Sequence, residues 1–259
     1  MLSDVGAVTE SDGLRRQWNE TTTSVADINM TDNEHRTVLI VGASKGLGLA
    51  MVAEFLRRDW RVIATVRGEN RTELDALDED GRLEVEKLDV TMPEQITALR
   101  DRLAGRRLDL LFVNAGIAHD NLPVAAVSTD SFVEVMVTNA LSPLRIVETL
   151  EDLVPESGTI GVMSSRQGSV SQNTRGGHEV YRASKSALNQ LFRSFAARHA
   201  DDPRTLLLIN PGHVQTELGG EGATLTVDDS IPGVVDTIVA HAGEGGLQFL
   251  DYQNAVVPW

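Results

Sequence analysis

The chain has 259 residues, 41% of them hydrophobic, which is enough for one large α/β core and does not demand two. It has no cysteine, which excludes disulfides, thiolate catalysis and cysteine-based metal sites and fits a reducing cytoplasm. A net charge of −15 argues against a broad basic face for nucleic acid, and no apolar run approaches the roughly 18 residues a membrane span needs.

Residues 1–35 carry seven acidic side chains against Arg15 and Arg16, with little apolar periodicity. They read as a flexible acidic extension ahead of a dinucleotide-binding catalytic domain at 36–259. Asp4, Glu10 and Asp12 interrupt any secretory leader, and translation from Met30 would still deliver the whole domain.

Thr37–Val41 is a β-branched apolar run suited to a strand buried on both faces. The residues Gly42, Ala43, Ser44, Lys45, Gly46, Leu47 and Gly48 follow, and then Leu49–Arg58, with Met51, Val52, Phe55 and Leu56 on one side of a helix. Strand, glycine turn and helix together suggest a dinucleotide site. Glycine lets the backbone bend at positive φ and approach a pyrophosphate, and the helix N-terminus offers free N–H groups.

Further strands are expected at 61–66, 83–88, 108–113, 158–163, 205–210 and 246–250, and helices at 71–78, 93–104, 129–153, 180–200 and 226–241. This alternation predicts a single doubly wound, Rossmann-like α/β domain, with a parallel sheet of about seven strands and helices on both faces. Ligands then bind beyond the carboxyl ends of the strands.

A site for NAD usually places an acid at the end of the second strand, about twenty residues past the glycine turn. Here Thr65-Val66-Arg67 stands there, Arg67 being 19 residues past Gly48. With Lys45 inside the turn, two cations could clamp a 2′-phosphate, so NADP(H) is expected over NAD(H). Glu69 is the contrary signal.

Asn139 falls inside the expected helix 129–153, and Pro143 follows four residues later. Proline has no N–H, so the helical bond to the Asn139 carbonyl cannot form and that carbonyl is left free for water. In the helix 180–200, Tyr181 and Lys185 are four residues apart and therefore share a face. Only three of the 23 basic residues are lysines, and two of them, Lys45 and Lys185, sit in these two motifs. The six histidines show no ligand spacing, so no metal is expected. Arg166 and Arg175 read as loop supports more readily than as contacts to an anionic substrate. Glycines 219, 220 and 222 suggest a segment that closes over the substrate.

The ordered set resembles the short-chain dehydrogenase/reductase family from Thr37 to Trp259. Beyond the glycine turn and Tyr181/Lys185 it includes Asp89-Val90, Asn114-Ala115-Gly116, Asn139, Ser164-Ser165, and Pro211-Gly212-His213-Val214-Gln215-Thr216. The stretch from Ser164 through Gly176-Gly177 to Lys185, and the ending Phe249-Leu250-Asp251-Tyr252 with Pro258-Trp259, are most similar to the C-factor and Sniffer carbonyl-reductase branch.

The resemblance implies an oxidoreductase that interconverts a small carbonyl compound and its alcohol, with Asn139, Ser165, Tyr181 and Lys185 as catalytic residues. Its cofactor contacts would be the glycine turn, Arg67, Asp89, Val90, Asn114, Ala115, Gly116, Tyr181, Lys185, Pro211, Gly212, Val214 and Thr216. It also implies a homodimer or homotetramer, with neither nucleic acid nor membrane as partner. Ser165 lies 16 residues before Tyr181, longer than the common family spacing, which leaves Ser164 as the alternative.

In these roles Tyr181 protonates the substrate carbonyl, Ser165 holds its oxygen, and the Asn139 carbonyl holds a relay water. One ammonium about 4 Å from the phenol is worth about 4 kcal/mol at an effective dielectric near 20. That would lower the tyrosine pKa by about three units. The rival reading is a non-catalytic signalling or redox-sensing protein that binds the dinucleotide. The complete set of four residues favours the enzyme, since a sensor needs no proton donor.

Overall fold

In the computed structural model of the protein the described residues are 35–69, 72–78, 80–220 and 222–259. The acidic stretch 1–34 and Arg71 lie outside them. His35, expected in the extension, belongs to the folded unit His35–Trp259, and its Nδ1 bonds the Asp59 carbonyl at 2.7 Å.

Seven parallel strands run in the order β3-β2-β1-β4-β5-β6-β7. They are β1 (Thr37–Val41), β2 (Arg61–Val66), β3 (Leu83–Lys87), β4 (Leu110–Val113), β5 (Thr159–Met163), β6 (Thr205–Asn210) and β7 (Gly246–Asp251). The order turns back on itself between β1 and β4, where Val41 pairs with Val113. A crevice opens at such a reversal because the chain leaves the two strands in opposite directions.

The helices are α1 (Gly46–Arg57), α2 (Thr72–Asp75), α3 (Pro93–Arg102), α4 (Thr129–Met136), α5 (Ser142–Leu150), α6 (Glu179–Arg198) and α7 (Val227–Ala240). Alternate residues of the inner strands feed two cores. Val38 and Ile40 pack with Phe55 of α1, Leu74 of α2 and Val234 of α7. Leu39 and Val41 pack with Leu99 of α3, Val147 of α5 and Phe192 of α6. The inner strands are therefore apolar on both faces and read as unbroken hydrophobic runs, whereas the edge strand β3, Leu-Glu-Val-Glu-Lys, alternates.

The helix expected at 129–153 is divided. Between α4 and α5 the chain makes one π-helical turn, Val137–Leu141, in which Ser142 N–H donates to Val137 O, and it ends in a 3₁₀ turn, Glu151–Leu153. Pro143 cannot supply the α-helical donor, and the wider turn just before it accommodates the missing bond. Among the described residues no helix is long and apolar enough to cross a membrane.

Candidate active site

β1 delivers the chain into the glycine turn at the reversal point. Gly42 (φ +87°) and Gly46 (φ +58°) hold left-handed backbone. A Cβ on Gly42 would lie 2.8 Å from Ala115, and one on Gly48 would lie 2.1 Å from Gly42 O and 2.6 Å from Asn114 Nδ2. The turn is tied to both neighbouring strands: Gly42 N donates to Thr65 Oγ1 (3.0 Å) and Asn114 Nδ2 donates to Gly42 O (2.7 Å). The N-terminus of α1 has no side-chain cap and no acid in its first turn. A cradle stripped of side chains under an uncapped helix end fits a pyrophosphate. Ser44 and Lys45 form its exposed rim, next to Leu47, and Thr216 reaches it from the β6 exit, its Cγ2 3.6 Å from where a Gly46 Cβ would be.

At the end of β2, Arg67 is exposed and close enough to Asp89 to help hold that carboxyl below its ordinary range. Burial, the largest single influence, opposes this, and the Thr91 N–H (2.9 Å) and Oγ1 (2.7 Å) on Asp89 Oδ1 together with Arg67 outweigh it. Val90 continues from Asp89 as a half-buried residue packed against the core. Glu69, the acid that spoke for NAD, is ion-paired with Lys87. Lys45 is ion-paired with Glu217 of the loop after β6. Both pairs are exposed, so solvent screening keeps each of them weak.

The chemical centre forms where β4, β5 and α6 meet. Lys185 is 3% exposed, and its Nζ donates to Met163 O at the end of β5 (2.8 Å). A Cβ on Gly116 would lie 3.5 Å from this Nζ and 3.4 Å from Asn139 Oδ1, so these three expected residues share one place. The Asn139 side chain is fully engaged: it receives Ile117 N (2.8 Å) and donates to Ile117 O (2.8 Å) and to Ser184 Oγ (3.0 Å). Ser184 Oγ in turn donates to Tyr181 O (2.8 Å), so Asn139 links the β4 exit to α6.

Tyr181 is only partly buried as a whole, but its hydroxyl is desolvated and has Ser165 beside it. Lys185 Nζ lies 5.8 Å from its ring centroid. Burial pushes the phenol up to about 12 against the pull of Ser165, and burial brings the Lys185 ammonium down to about 8. The acidified phenol expected from the ammonium is thus not the state of this structure. Desolvation disfavours the charged form of both groups and dominates both shifts.

The two adjacent serines separate cleanly. Ser164 is buried and its Oγ donates to Asn189 Oδ1 (2.6 Å). Ser165 caps a 3₁₀ turn, Arg166–Gly168, its Oγ accepting from Gln167 N (3.1 Å) while facing Tyr181. Arg166 is a loop support, with its N–H on Asn210 Oδ1 (3.0 Å) and its guanidinium 3.5 Å from Asp251. In the β6 exit Pro211 O accepts from Ser230 Oγ (2.7 Å), Gly212 (φ +85°) leaves no room beside Leu225, and Val214 bridges to Leu225. Gly219, expected in a closing segment, serves a tight turn there, since a Cβ on it would lie 1.9 Å from Val214 O. A cavity of about 210 Å³ beside Arg36, Trp60 and Thr159 lies at the amino ends of the strands, away from all these groups.

The sequence matches the short chain dehydrogenase family over residues 36–224, more than half of its length. The chain belongs to that family. Its fold is shared with a short-chain dehydrogenase/reductase of Burkholderia multivorans carrying bound NADP, at 56% identity and a TM-score of 0.85, over 87% of this chain and all of that one. A carbonyl reductase of Pseudomonas aeruginosa PAO1 in complex with NADP is 36% identical, with a TM-score of 0.81 over 87% of this chain and 100% of that one. Among curated proteins, the C-signal of Myxococcus xanthus is 34% identical over 154 residues, 59% of this chain and 93% of that protein. The branch resemblance is therefore borne out on both its C-factor and its carbonyl-reductase sides.

Several residues that organise this dehydrogenase site gave no sequence signal. Thr65, Ile117, Met163 and Ser184 act through hydrogen bonds of a backbone atom or hydroxyl, which their residue type does not announce. Asn189 could have been noticed as the third polar residue at four-residue spacing after Tyr181 and Lys185. His178, just before α6, takes left-handed backbone (φ 48°) with its N–H on Asn121 Oδ1 (2.5 Å), a junction role and not a chemical one.

Proposed function

We propose that this family member is an NADP(H)-dependent carbonyl reductase or alcohol dehydrogenase in which Tyr181 is the general acid/base. The observation that carries the reading is the desolvated Tyr181 hydroxyl beside Ser165, with the buried Lys185 Nζ 5.8 Å from the ring centroid. With its pKa raised to about 12, Tyr181 carries its proton at neutral pH, as a donor to a carbonyl must. Ser165 and Tyr181 both donate to the substrate oxygen and stabilise the charge that develops there. NADPH, when bound, supplies the hydride for the carbonyl carbon. Tyr181 gives its proton to the oxygen, completing the alcohol. Lys185, whose proton is loosely held at about 8, can then return one to the tyrosinate and be recharged from solvent. The Asn139 carbonyl, beside Pro143, is the proposed seat of the water on that route.

NADP(H) is the proposed cofactor. No acid stands on β2 at Thr65–Arg67, Glu69 is occupied by Lys87, and Lys45 and Arg67 supply positive charge. The weak Lys45–Glu217 pair is displaceable by a phosphate, whose charge-assisted bonds contribute roughly 1.5–3 kcal/mol each. The NADP bound in the two solved relatives supports the same choice.

NADPH oxidation followed across aldehydes, ketones, diketones and quinones tests the activity. The Tyr181→Phe variant should keep NADPH binding and lose about 10²–10⁴-fold in kcat. Wild-type turnover in that variant would remove the mechanism, and no turnover of any carbonyl by the wild type would favour the signalling role. Tighter binding of NADH than NADPH would end the cofactor assignment.

A further inference from the structure

Tyr181, Lys185 and Asn189 stand four residues apart on α6 and so line one face of it. Each meets one of three consecutive residues leaving β5. Lys185 Nζ donates to Met163 O, Ser164 Oγ donates to Asn189 Oδ1, and Ser165 stands beside the Tyr181 hydroxyl. The Asn189 amide continues past Ser165: its Nδ2 donates to Gly168 O (3.3 Å), which also accepts from Ser186 Oγ (3.0 Å). Gly168 rests directly on the helix, since a Cβ there would lie 2.9 Å from both Asn189 Nδ2 and the Lys185 carbonyl. One buried amide, 3% exposed, thus holds the residue before Ser165 and the far end of the turn that Ser165 caps.

We propose that Asn189 is a positioning residue for the reaction. By clamping both ends of the Ser165 turn, it fixes Ser165 Oγ against Tyr181, and Ser164 is the other half of that clamp. The proposal rests on the assignment of Ser165 and Tyr181 as the groups that hold and protonate the carbonyl oxygen. Stability alone does not call for an amide here, because replacing a buried hydrogen-bonded pair with apolar groups of the same shape can be nearly neutral. A hydrogen-bonded clamp adds direction, and a displacement of about 1 Å at a reacting group can cost 100-fold in rate.

The test is a kinetic cycle with Asn189→Ala, Ser164→Ala, Ser165→Ala and the corresponding double variants, together with NADPH affinity by fluorescence and thermal melts. Asn189→Ala should lower kcat about 10- to 100-fold with NADPH affinity unchanged. In the Ser165→Ala background the same change should cost less than about twofold, because its effect passes through Ser165. Multiplicative losses, or full kcat in Asn189→Ala, would overturn the proposal. If Asn189→Ala does not fold, the Ser164→Ala and Ser165→Ala cycle is read by the same rule. Full activity of Ser165→Ala would instead remove the assignment beneath the proposal, and the proposal with it.

Discussion

Helices α1 and α7 lie side by side on one face of the sheet, yet their first turns are built in opposite ways. α7 begins with a complete capping box, Thr226 Oγ1 receiving Asp229 N (3.1 Å) and Asp229 Oδ2 receiving Thr226 N (2.9 Å), with Asp228 also in the first turn. α1 begins at Lys45 with no side-chain cap and no acid. One helix end is closed by its own sequence, while the other keeps its N–H groups and positive dipole end for an anion. The same division holds for two basic side chains. His241, at the end of α7, has Nδ1 on Glu244 (2.6 Å) and Nε2 on Asn254 (2.6 Å), and these partners raise its pKa although burial opposes them. Lys185 is held by the Met163 carbonyl with no acid bonded to it among the described residues, and burial lowers its pKa. The α7 end and His241 are satisfied by neighbouring side chains, whereas the α1 end is uncapped and Lys185 carries a burial penalty.

The severest way to break this contrast is Gly48→Ala. A methyl group 2.1 Å from Gly42 O must displace the turn, so NADPH binding should be lost and stability should fall by about 1–3 kcal/mol, read by fluorescence titration and denaturant melts. Wild-type affinity would show that the cradle is not the phosphate site.

Lys185→Met should move stability the other way. In the wild type the unfolded chain holds the lysine proton up to 10.5 and the folded chain only to about 8, so stability rises with pH between those values. Below that window the burial penalty is present in full. Methionine should therefore stabilise the fold at neutral pH by up to about 3 kcal/mol, less the lost bond to Met163 O, and flatten the rise. Turnover should vanish.

A matched pair sharpens the comparison of the helix ends. Thr226→Ala should cost about 1 kcal/mol with kcat and NADPH affinity unchanged. Lys45→Asp should install a cap on α1 and gain a similar amount, while weakening NADPH binding by 10-fold or more, since about 1.4 kcal/mol is a factor of ten. Equal effects on affinity from both variants would contradict the division.

The smallest effect is expected at His241. Its raised pKa contributes stability that is fully present below 6.5 and is lost as pH rises through the folded value. His241→Ala should therefore be more destabilising in mildly acidic than in alkaline solution, as denaturant titrations at the two conditions would show.

Much of this was legible in residues taken in order. The strands were readable because a sheet buried on both faces needs continuous apolar runs, and their bounds moved by at most two residues. The glycine turn and Tyr181/Lys185 were readable because backbone freedom and helical spacing are local properties. The helix at 129–153 was seen, but its π turn was not, since Pro143 removes a bond without specifying how the chain relaxes. Ser164 and Ser165 were indistinguishable because strand exit, turn and helix face decide them together.

The sequence by itself determined the doubly wound class, the cradle at Gly42–Gly48 and the shared face of Tyr181 and Lys185, all set by interactions within a few residues. Only the tertiary structure decided that Ser165 meets the phenol, that Asn189 holds its turn, and that Glu69 and Lys45 are paired with Lys87 and Glu217. It alone decided the direction in which Tyr181 and Lys185 are shifted, because desolvation depends on what distant segments pack around a group.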